Sequence, residues 1–388
     1  MSLRHGTGSG PAEANALPDL SAVPARVGAA LVIDLGAIAA NWRRIAAIAA
    51  GAECGAVVKA DAYGLGQEPV GHALWRAGAR TFFVADITAA LALRRTLPDA
   101  RICVLHGVPA GAEGEVAEAR LTPVLNTPGD IARWRGEAGR RDRPLPCLIH
   151  LDTGMNRLGL APAEAAALAE APAEHLAGLE VQAWMSHLAC ADDPANPMTA
   201  RQRADFQDLR ARLPAAPASL ANSAGIFHGA DYHADLVRPG IALYGANPTP
   251  WQANPMRPVI RILARIHQIR DVPAGATIGY DATHTVTRHS RIAALGMGYA
   301  DGYPWRLKGR GQVRIGAHTA PIIARVSMDL LTVDVTDIPP TLLAEGGWVE
   351  VLGSHRDVDS VAGEAGTIGY EILTGLGRRY HRVHLPDV

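Results

Sequence analysis

Residues 54–64, CGAVVKADAYG, place a lysine, Lys59, directly after a short apolar run. A valine-rich run of this length indicates a buried β-strand. Similar runs recur as far as residue 238, separated by alanine- and leucine-rich stretches with helical periodicity. The predicted strands are Cys54–Lys59, Thr81–Ala85, Ile102–Leu105, Leu121–Leu125, Cys147–Leu151, Leu179–His187, Ala218–Ala221 and Asp235–Arg238. Eight strand–helix units predict a (β/α)8 TIM barrel, with an open doubly wound sheet as the alternative.

The sequence pattern changes after residue 255. Long helical stretches become rare, and glycine, proline, threonine and valine become frequent, which predicts a mainly antiparallel β domain over residues 256–388. An early strand, Ala30–Asp34, could pair with that domain. We therefore predict an α/β plus β chain with a barrel over residues 29–255. Residues 1–28 are rich in glycine, alanine, proline and serine, lack a secretory pattern and are predicted to form a flexible extension.

Charge and composition exclude several classes of partner. Lysine and arginine number 37 against 38 aspartates and glutamates, so no basic excess is present to bind nucleic acid. No apolar stretch is long enough to predict a membrane helix. The four cysteines, at positions 54, 103, 147 and 190, form no CxxC pair. They indicate a reducing cytoplasmic environment, and the scattered histidines predict no metal site.

Polar residues at the ends of the predicted strands are candidates for a site, because barrel enzymes place reactive groups there. A partly desolvated Lys59 could form an imine with an aldehyde cofactor, and His187 could lie against an aromatic cofactor ring. Ser223, next to Asn222, and the amides near Gly240 and Ile241 could cradle a phosphate. Considered singly, each residue is more often structural, as a solvated lysine, a core histidine or a helix cap.

Seven segments, taken together, resemble the successive signatures of alanine racemases. They are 58–64 (VKADAYG), 151–159 (LDTGMNRLG), 186–192 (SHLACAD), 222–223 (NS), 238–245 (RPGIALYG), 298–303 (GYADGY) and 327–329 (SMD). The resemblance implies a pyridoxal phosphate (PLP) enzyme that interconverts L- and D-alanine. It also implies a homodimer whose active sites are completed across the interface.

The same resemblance implies a role for each candidate residue. Lys59 would carry PLP and act as one base, and Tyr280 of the partner subunit would act as the second, on the opposite face of the substrate. Arg238 would face the pyridine nitrogen, where a guanidinium only donates hydrogen bonds and keeps the nitrogen unprotonated. The other cofactor ligands would be Tyr63, His187, Asn222, Ser223, Gly240, Ile241 and Tyr370. The substrate-binding residues would be Arg157, Met328, Tyr299 and Asp329.

The chain departs from the family pattern at three positions. His150 stands seven residues before Arg157, where many relatives place a lysine that becomes carbamylated. The charge that positions Arg157 would then come from elsewhere, for example a carboxylate or a bound anion. Leu65 and Ser327 replace a frequent histidine and a frequent cysteine.

Other functions remain open at this stage. They are a broad-specificity racemase of small amino acids such as serine, a basic-amino-acid decarboxylase, a non-catalytic PLP-binding protein and a metal hydrolase. Arg238 argues against a decarboxylase, because decarboxylases benefit from an acidic partner on the pyridine nitrogen. Tyr280 and the long second domain argue against a simple carrier.

Overall fold

The structure is a computed structural model that describes residues 17–353 and 355–386. The strands are β1 (Ala29–Asp34), β2 (Glu53–Cys54), β3 (Ala56–Val57), β4 (Thr81–Val84), β5 (Arg101–Val104), β6 (Thr122–Leu125), β7 (Leu145–His150), β8 (Leu179–Met185), β9 (Ala218–Ser219), β10 (Leu236–Val237), β11 (Ile260–Val272), β12 (Thr277–Ile278), β13 (His284–Thr285), β14 (Ser290–Leu295), β15 (Gln312–Ile315), β16 (His318–Ile323), β17 (Leu331–Asp334), β18 (Trp348–Leu352) and β19 (His381–Leu385).

The helices alternate with the early strands and are rare later in the chain. They are α1 (Leu35–Ile48), α2 (Lys59–Tyr63), α3 (Gln67–Ala77), α4 (Ile87–Thr96), α5 (Glu113–Glu118), α6 (Pro128–Arg141), α7 (Pro162–Glu170), α8 (Pro172–His175), α9 (Met198–Ala211), α10 (Val358–Ala365) and α11 (Gly369–Thr374). Among the described residues, none of these helices combines the length and the apolar character needed to cross a bilayer.

Strands β3 to β9 lie side by side in chain order, and every neighbouring pair is parallel. The ring closes through β10, which is parallel to β2, and the Val57 amide donates to the Pro239 carbonyl at 3.0 Å. On the other side of β10, the Arg238 amide donates to the Ala221 carbonyl at 2.9 Å. The first barrel strand is thus β2 and β3 together, interrupted at Gly55. The predicted eight-stranded barrel is confirmed.

The second unit is built on one sheet in the order β14-β17-β16-β15-β18-β11-β1-β19. Strand β11 has 13 residues, and a register irregularity between Ile266 and Gln268 lets it pair with β14 as well as with β18. Strand β1 pairs with β11 and β19, so contacts divide the chain at Leu35 and Pro258. The predicted barrel bounds of 29 and 255 differ from this division because β1 makes its ladder bonds in the second unit.

Part of the predicted flexible extension is packed. Leu20 and Val23 are buried against Val32 and Leu263. The Arg265 guanidinium also donates to the Val27 carbonyl at 3.0 Å. The expectation of an unpacked segment is therefore wrong for residues 20–27, and residues 1–16 lie outside the described part of the chain.

Candidate active site

Lys59 stands at the carboxyl end of the first barrel strand, where the backbone makes a left-handed turn. The four residues that follow, from Ala60 to Tyr63, all have φ between 52° and 55°. Each such residue costs about 1–2 kcal/mol when it is not glycine. Backbone strain of this kind is concentrated at functional sites and persists only where the surroundings enforce it.

Hydrogen bonds and ring stacking hold this turn in place. The Ala62 amide donates to the Val58 carbonyl at 3.0 Å, and the Gly64 amide donates to the Ala60 carbonyl at 2.8 Å. The ring of Tyr63 stacks on that of Tyr244 with centroids 4.4 Å apart, and the Tyr244 hydroxyl donates to the Val57 carbonyl at 2.9 Å. These contacts attach the turn to the first strand at Val57 and Val58. They therefore fix the position of the backbone that carries Lys59.

Lys59 shares the end of the barrel with several other basic groups. Burial, reinforced by the neighbouring Arg157 guanidinium, lowers the pKa of Lys59. Burial and then Arg238, with smaller effects from Arg157, His150 and Lys59, hold the pKa of His187 well below its usual range. The structure thus brings four predicted site residues, Lys59, Arg157, His187 and Arg238, together with His150, and burial disfavours the charged forms of the Lys59 amine and the His187 imidazole.

Arg238 is anchored to two neighbouring barrel strands, β8 and β9. Its guanidinium donates to the Ser186 carbonyl at 2.6 Å, to the Leu220 carbonyl at 3.3 Å and to the Ser219 hydroxyl. Burial lowers the pKa of Arg238 to about 10, so the side chain remains charged at neutral pH. A fourth guanidinium contact reaches His187 Nδ1 at 3.4 Å. Arg238 is therefore a fixed cation beside His187.

The loop after the eighth strand and Ser223 form a compact set of hydrogen-bond donors. The Ser223 hydroxyl oxygen accepts from the amides of Gly240 at 2.8 Å and Ala242 at 3.3 Å. Because both lone pairs are engaged, this hydroxyl can only donate to a further partner. Ile241 begins a short 3₁₀ helix, where an amide has no partner within the helix. These donors favour an anion, although the Gly240 amide itself is directed at Ser223.

The packing around Gly240 leaves no space for a side chain. A Cβ atom at this position would lie 2.3 Å from the Tyr63 hydroxyl. We expect Gly240→Ala to displace Tyr63 and to weaken binding of an anionic cofactor roughly tenfold or more, the cost of losing about one charged hydrogen bond. Absorbance titration of the apoprotein measures this, with Gly139→Ala as the control because a Cβ there meets nothing within 4 Å. Unchanged affinity would refute the role of the cradle.

Arg157 lies on an exposed loop that Asp152 shapes. The Asp152 carboxylate accepts from the amides of Gly154 at 2.9 Å and Asn156 at 3.0 Å. Asn222 makes two side-chain hydrogen bonds within the barrel unit: it accepts from the Gly225 amide at 2.9 Å and donates to the Leu188 carbonyl at 3.2 Å.

Gln202, on α9, is a site residue that sequence reasoning missed. It is fully buried, and its amide nitrogen donates to the His187 carbonyl at 2.9 Å and to the Thr153 hydroxyl at 3.3 Å. Its side-chain oxygen accepts from the Ala189 amide at 2.8 Å. Gln202 therefore joins the strand end that carries His187 to the loop that carries Arg157.

We expect Gln202→Leu to lower the free energy of unfolding by about 1–3 kcal/mol, because it leaves the buried Thr153 hydroxyl and the part-buried His187 carbonyl and Ala189 amide without this partner. Urea denaturation followed by circular dichroism measures the change. Gln252→Leu is the matched control, since Gln252 is exposed. Equal stability of the two variants would show that the buried network contributes nothing.

Tyr280 belongs to the second unit and is displayed at its surface. The side chain is 67% exposed. The next two residues have positive φ, and Asp281 is held by an ion pair with Arg325. Gly279 has φ of +75°, and a Cβ there would meet Ala324 at 2.9 Å. The local fold thus presents the tyrosine to solvent on a constrained turn.

Tyr299, Met328 and Asp329 lie together in the second unit. The Tyr299 amide donates to the Ser327 carbonyl at 3.1 Å, which aligns Tyr299 with the segment containing Met328. Arg379, another residue that sequence reasoning missed, donates to both carboxylate oxygens of Asp301 at 2.9 Å and pairs with Asp329. Tyr370 lies on α11 and is 45% exposed.

The structure shows the surroundings of Leu65 and Ser327, two of the three positions that depart from the family pattern. Leu65 is fully buried in the core. The Ser327 backbone closes a turn with Leu330 and accepts from Tyr299. Neither position offers an additional titratable group.

Fold and site together define a barrel enzyme that has a desolvated lysine at the end of its first strand and a second, mainly β unit. The N-terminal domain family of alanine racemases matches residues 33–248, and the C-terminal domain family matches residues 259–384. The chain is 50% identical over 358 residues to an alanine racemase of Methylobacterium sp. strain 4-46, covering 92% of this chain and 98% of the relative.

Further similarity extends to Acidiphilium cryptum and to a crystal structure. The chain is 51% identical over 353 residues to alanine racemase of Acidiphilium cryptum, covering 91% of this chain and 98% of the relative. The crystal structure of alanine racemase from Bartonella henselae with covalently bound pyridoxal phosphate is 40% identical, with a TM-score of 0.88, and covers 92% of this chain and 100% of that one. The chain belongs to the alanine racemase family.

Proposed function

We propose that this protein interconverts L-alanine and D-alanine with PLP as its cofactor. The observation that carries the proposal is the desolvated Lys59 on a left-handed turn beside Arg157, His187 and Arg238. A neutral amine is needed both to bind an aldehyde covalently and to accept a proton, and burial favours that form by lowering the pKa of Lys59.

The barrel end has the chemistry to hold PLP. The phosphate would be bound by the Ser223 hydroxyl, the Ile241 amide and Tyr63, with Gly240 leaving the space that a Cβ would fill. Asn222, Gly240 and Tyr370 would complete the cofactor site, and His187 would lie against the ring. When bound, PLP supplies a conjugated ring that stabilises negative charge at the substrate α-carbon. Arg238 would donate to the ring nitrogen and keep it unprotonated.

Two proton carriers on opposite faces of the α-carbon account for racemisation. Lys59 accepts or delivers a proton on one face, and Tyr280 does so on the other. Because the two enantiomers present the α-hydrogen to opposite faces, the two residues exchange roles with the direction of the reaction. A single base would return the proton to the face from which it came.

Arg157 and the Met328 backbone amide would bind the substrate carboxylate, with Tyr299 and Asp329 bordering the entrance. The Arg379 ion pair keeps the Asp329 carboxylate in place. Guanidinium groups bind carboxylates with two parallel hydrogen bonds, which fixes orientation as well as charge.

We further propose a homodimer in which Tyr280 reaches the active site of the partner subunit. The second unit exposes several large side chains to solvent, and exposed apolar surface is typical of a protein–protein interface. They are Tyr280, Tyr299, Met328, Ile368 and Tyr370.

We also propose a cytoplasmic location for the enzyme. All four cysteines have free thiols, which fits a reducing compartment.

The test is incubation of the PLP-loaded protein with L-alanine, and separately with L-serine, followed by chiral chromatography. We expect L-alanine to reach an equal mixture of enantiomers. A pocket distinguishes substrates by only about 1–3 kcal/mol per methylene-sized group, so slower turnover of serine is compatible with the proposal. Faster turnover of serine would identify a broad-specificity racemase, and turnover of neither would refute the function.

A further inference from the structure

Asn126 is a buried amide whose orientation is fixed by the backbone. Its side-chain nitrogen donates to the Leu105 carbonyl at 3.1 Å and to the Val124 carbonyl at 2.9 Å. Both amide hydrogens are therefore engaged, and the side-chain oxygen is left as an acceptor. That oxygen lies 2.9 Å from His150 Nδ1. Because an amide oxygen cannot donate, the proton of this hydrogen bond belongs to Nδ1.

When the imidazole of His150 is neutral, this hydrogen bond places its lone pair on Nε2. The ring is buried at the end of β7. Burial, and then the Arg238 guanidinium with a smaller effect from Arg157, lower the pKa of His150 to about 4, although the Asp152 carboxylate acts in the opposite direction. His187 also lies within electrostatic range of His150. The Nδ1–H tautomer is thus the form present over the physiological pH range.

The loop that carries Arg157 is folded back onto His150. The Leu160 amide donates to the His150 carbonyl at 2.7 Å, and the Asp152 amide donates to the Leu160 carbonyl at 2.9 Å. Gly159, with φ of +107°, lies directly over the imidazole, since a Cβ there would be 3.0 Å from the ring Cγ. Arg157 is two residues before this contact, so the ring supports its loop.

We propose that Asn126 and His150 form a positioning pair for Arg157, in which Asn126 fixes the imidazole tautomer and His150 offers an uncharged acceptor, Nε2, to the guanidinium. This inference rests on the proposed function, in which Arg157 binds the substrate carboxylate. An uncharged acceptor would hold Arg157 equally well throughout the pH range in which the imidazole remains neutral.

The first test compares Asn126→Asp with the wild type. A carboxylate beside Nδ1 favours the imidazolium, so it raises the pKa of His150. Once protonated, the ring can only donate, as a guanidinium does, and the acceptor for Arg157 disappears. We expect the KM for alanine in Asn126→Asp to rise about tenfold below the new pKa while kcat changes less, and the wild-type KM to stay flat between about pH 5.5 and 8.

The control for this variant is Asn254→Asp. The Asn254 side chain likewise donates to a backbone carbonyl, that of Gly245, at 2.9 Å. A purely structural role for Asn126 would lower stability without adding a pH step to KM. A profile for Asn126→Asp parallel to that of the wild type would overturn the proposal.

A second pair of variants tests the proposal in case Asn126→Asp does not fold. Glutamine at position 150 can place an oxygen near the position of Nε2, whereas asparagine can replace only Nδ1. We expect KM within about threefold of the wild type for His150→Gln and at least about tenfold higher for His150→Asn. The reverse order would overturn the proposal.

Nitrogen-15 NMR of the side chain of His150, assigned by its loss in His150→Gln, reads the tautomer without turnover. We expect a protonated Nδ1 and an unprotonated Nε2 from pH 5.5 to 8. The opposite tautomer, or titration in that range, would contradict the inference even if the protein racemises alanine. Absence of alanine racemisation with the expected tautomer would instead contradict the proposed function.

Discussion

Lys59→Ala is expected to abolish interconversion of alanine enantiomers, with a loss of at least about 10⁴-fold. Loss of a general base alone typically costs about 10²–10⁴-fold, and this variant also loses the amine that would hold the cofactor covalently. Chiral chromatography of alanine measures the rate, and absorbance of the bound cofactor reports the covalent link. Both should disappear together.

The second lysine of the chain provides the control for that experiment. It contains only two lysines, Lys59 and Lys308. The Lys308 ammonium lies over the exposed ring of Trp305, 4.6 Å from its centroid. Lys308→Ala is expected to retain full activity and the absorbance of the bound cofactor. Activity in Lys59→Ala within tenfold of the wild type would show that another group carries the reaction.

Tyr280→Phe is expected to reduce racemisation by about 10²–10⁴-fold by removing one of the two proton carriers. Because the equilibrium constant between enantiomers is one, kcat/KM must fall equally in both directions. The asymmetry should appear instead in exchange with deuterated water. The enantiomer that Lys59 deprotonates should still exchange its α-hydrogen without inversion, and the other should not.

Proton NMR in deuterated water, with each enantiomer supplied separately, follows this exchange. Tyr232→Phe serves as the control, because Tyr232 lies in the barrel unit, where its ring is near Arg203 and His228. Equal residual exchange from both enantiomers in Tyr280→Phe would contradict the assignment of the two bases to opposite faces.

The barrel and the ends of its strands could be predicted because polar residues interrupt apolar runs there. Lys59, His187 and Arg238 each stand at such an interruption, and the structure places all three at one end of the barrel. The sequence predicted that Ala30–Asp34 could pair with the second domain, as it does, but the exact boundary at Leu35 was harder to place, since pairing across more than 200 residues leaves no local signal.

Other parts of the site had no usable sequence signal. Alanine has no preference for positive φ, so the left-handed turn at Ala60 and Ala62 is imposed by contacts made elsewhere. A glutamine in a helical sequence is predicted to face solvent, and only the structure reveals the three hydrogen bonds of Gln202. The assignment of Tyr370 to the cofactor site depends on the resemblance to alanine racemases.

The most direct test of the central claim is reduction of the PLP-loaded protein with borohydride, followed by mass spectrometry of its peptides. Reduction makes a covalent cofactor–amine link permanent, and the two lysines lie far apart in the sequence. We predict that the added mass of the reduced cofactor falls on the peptide containing Lys59. A label on Lys308 or on the amino terminus, or no label at all, would contradict the account.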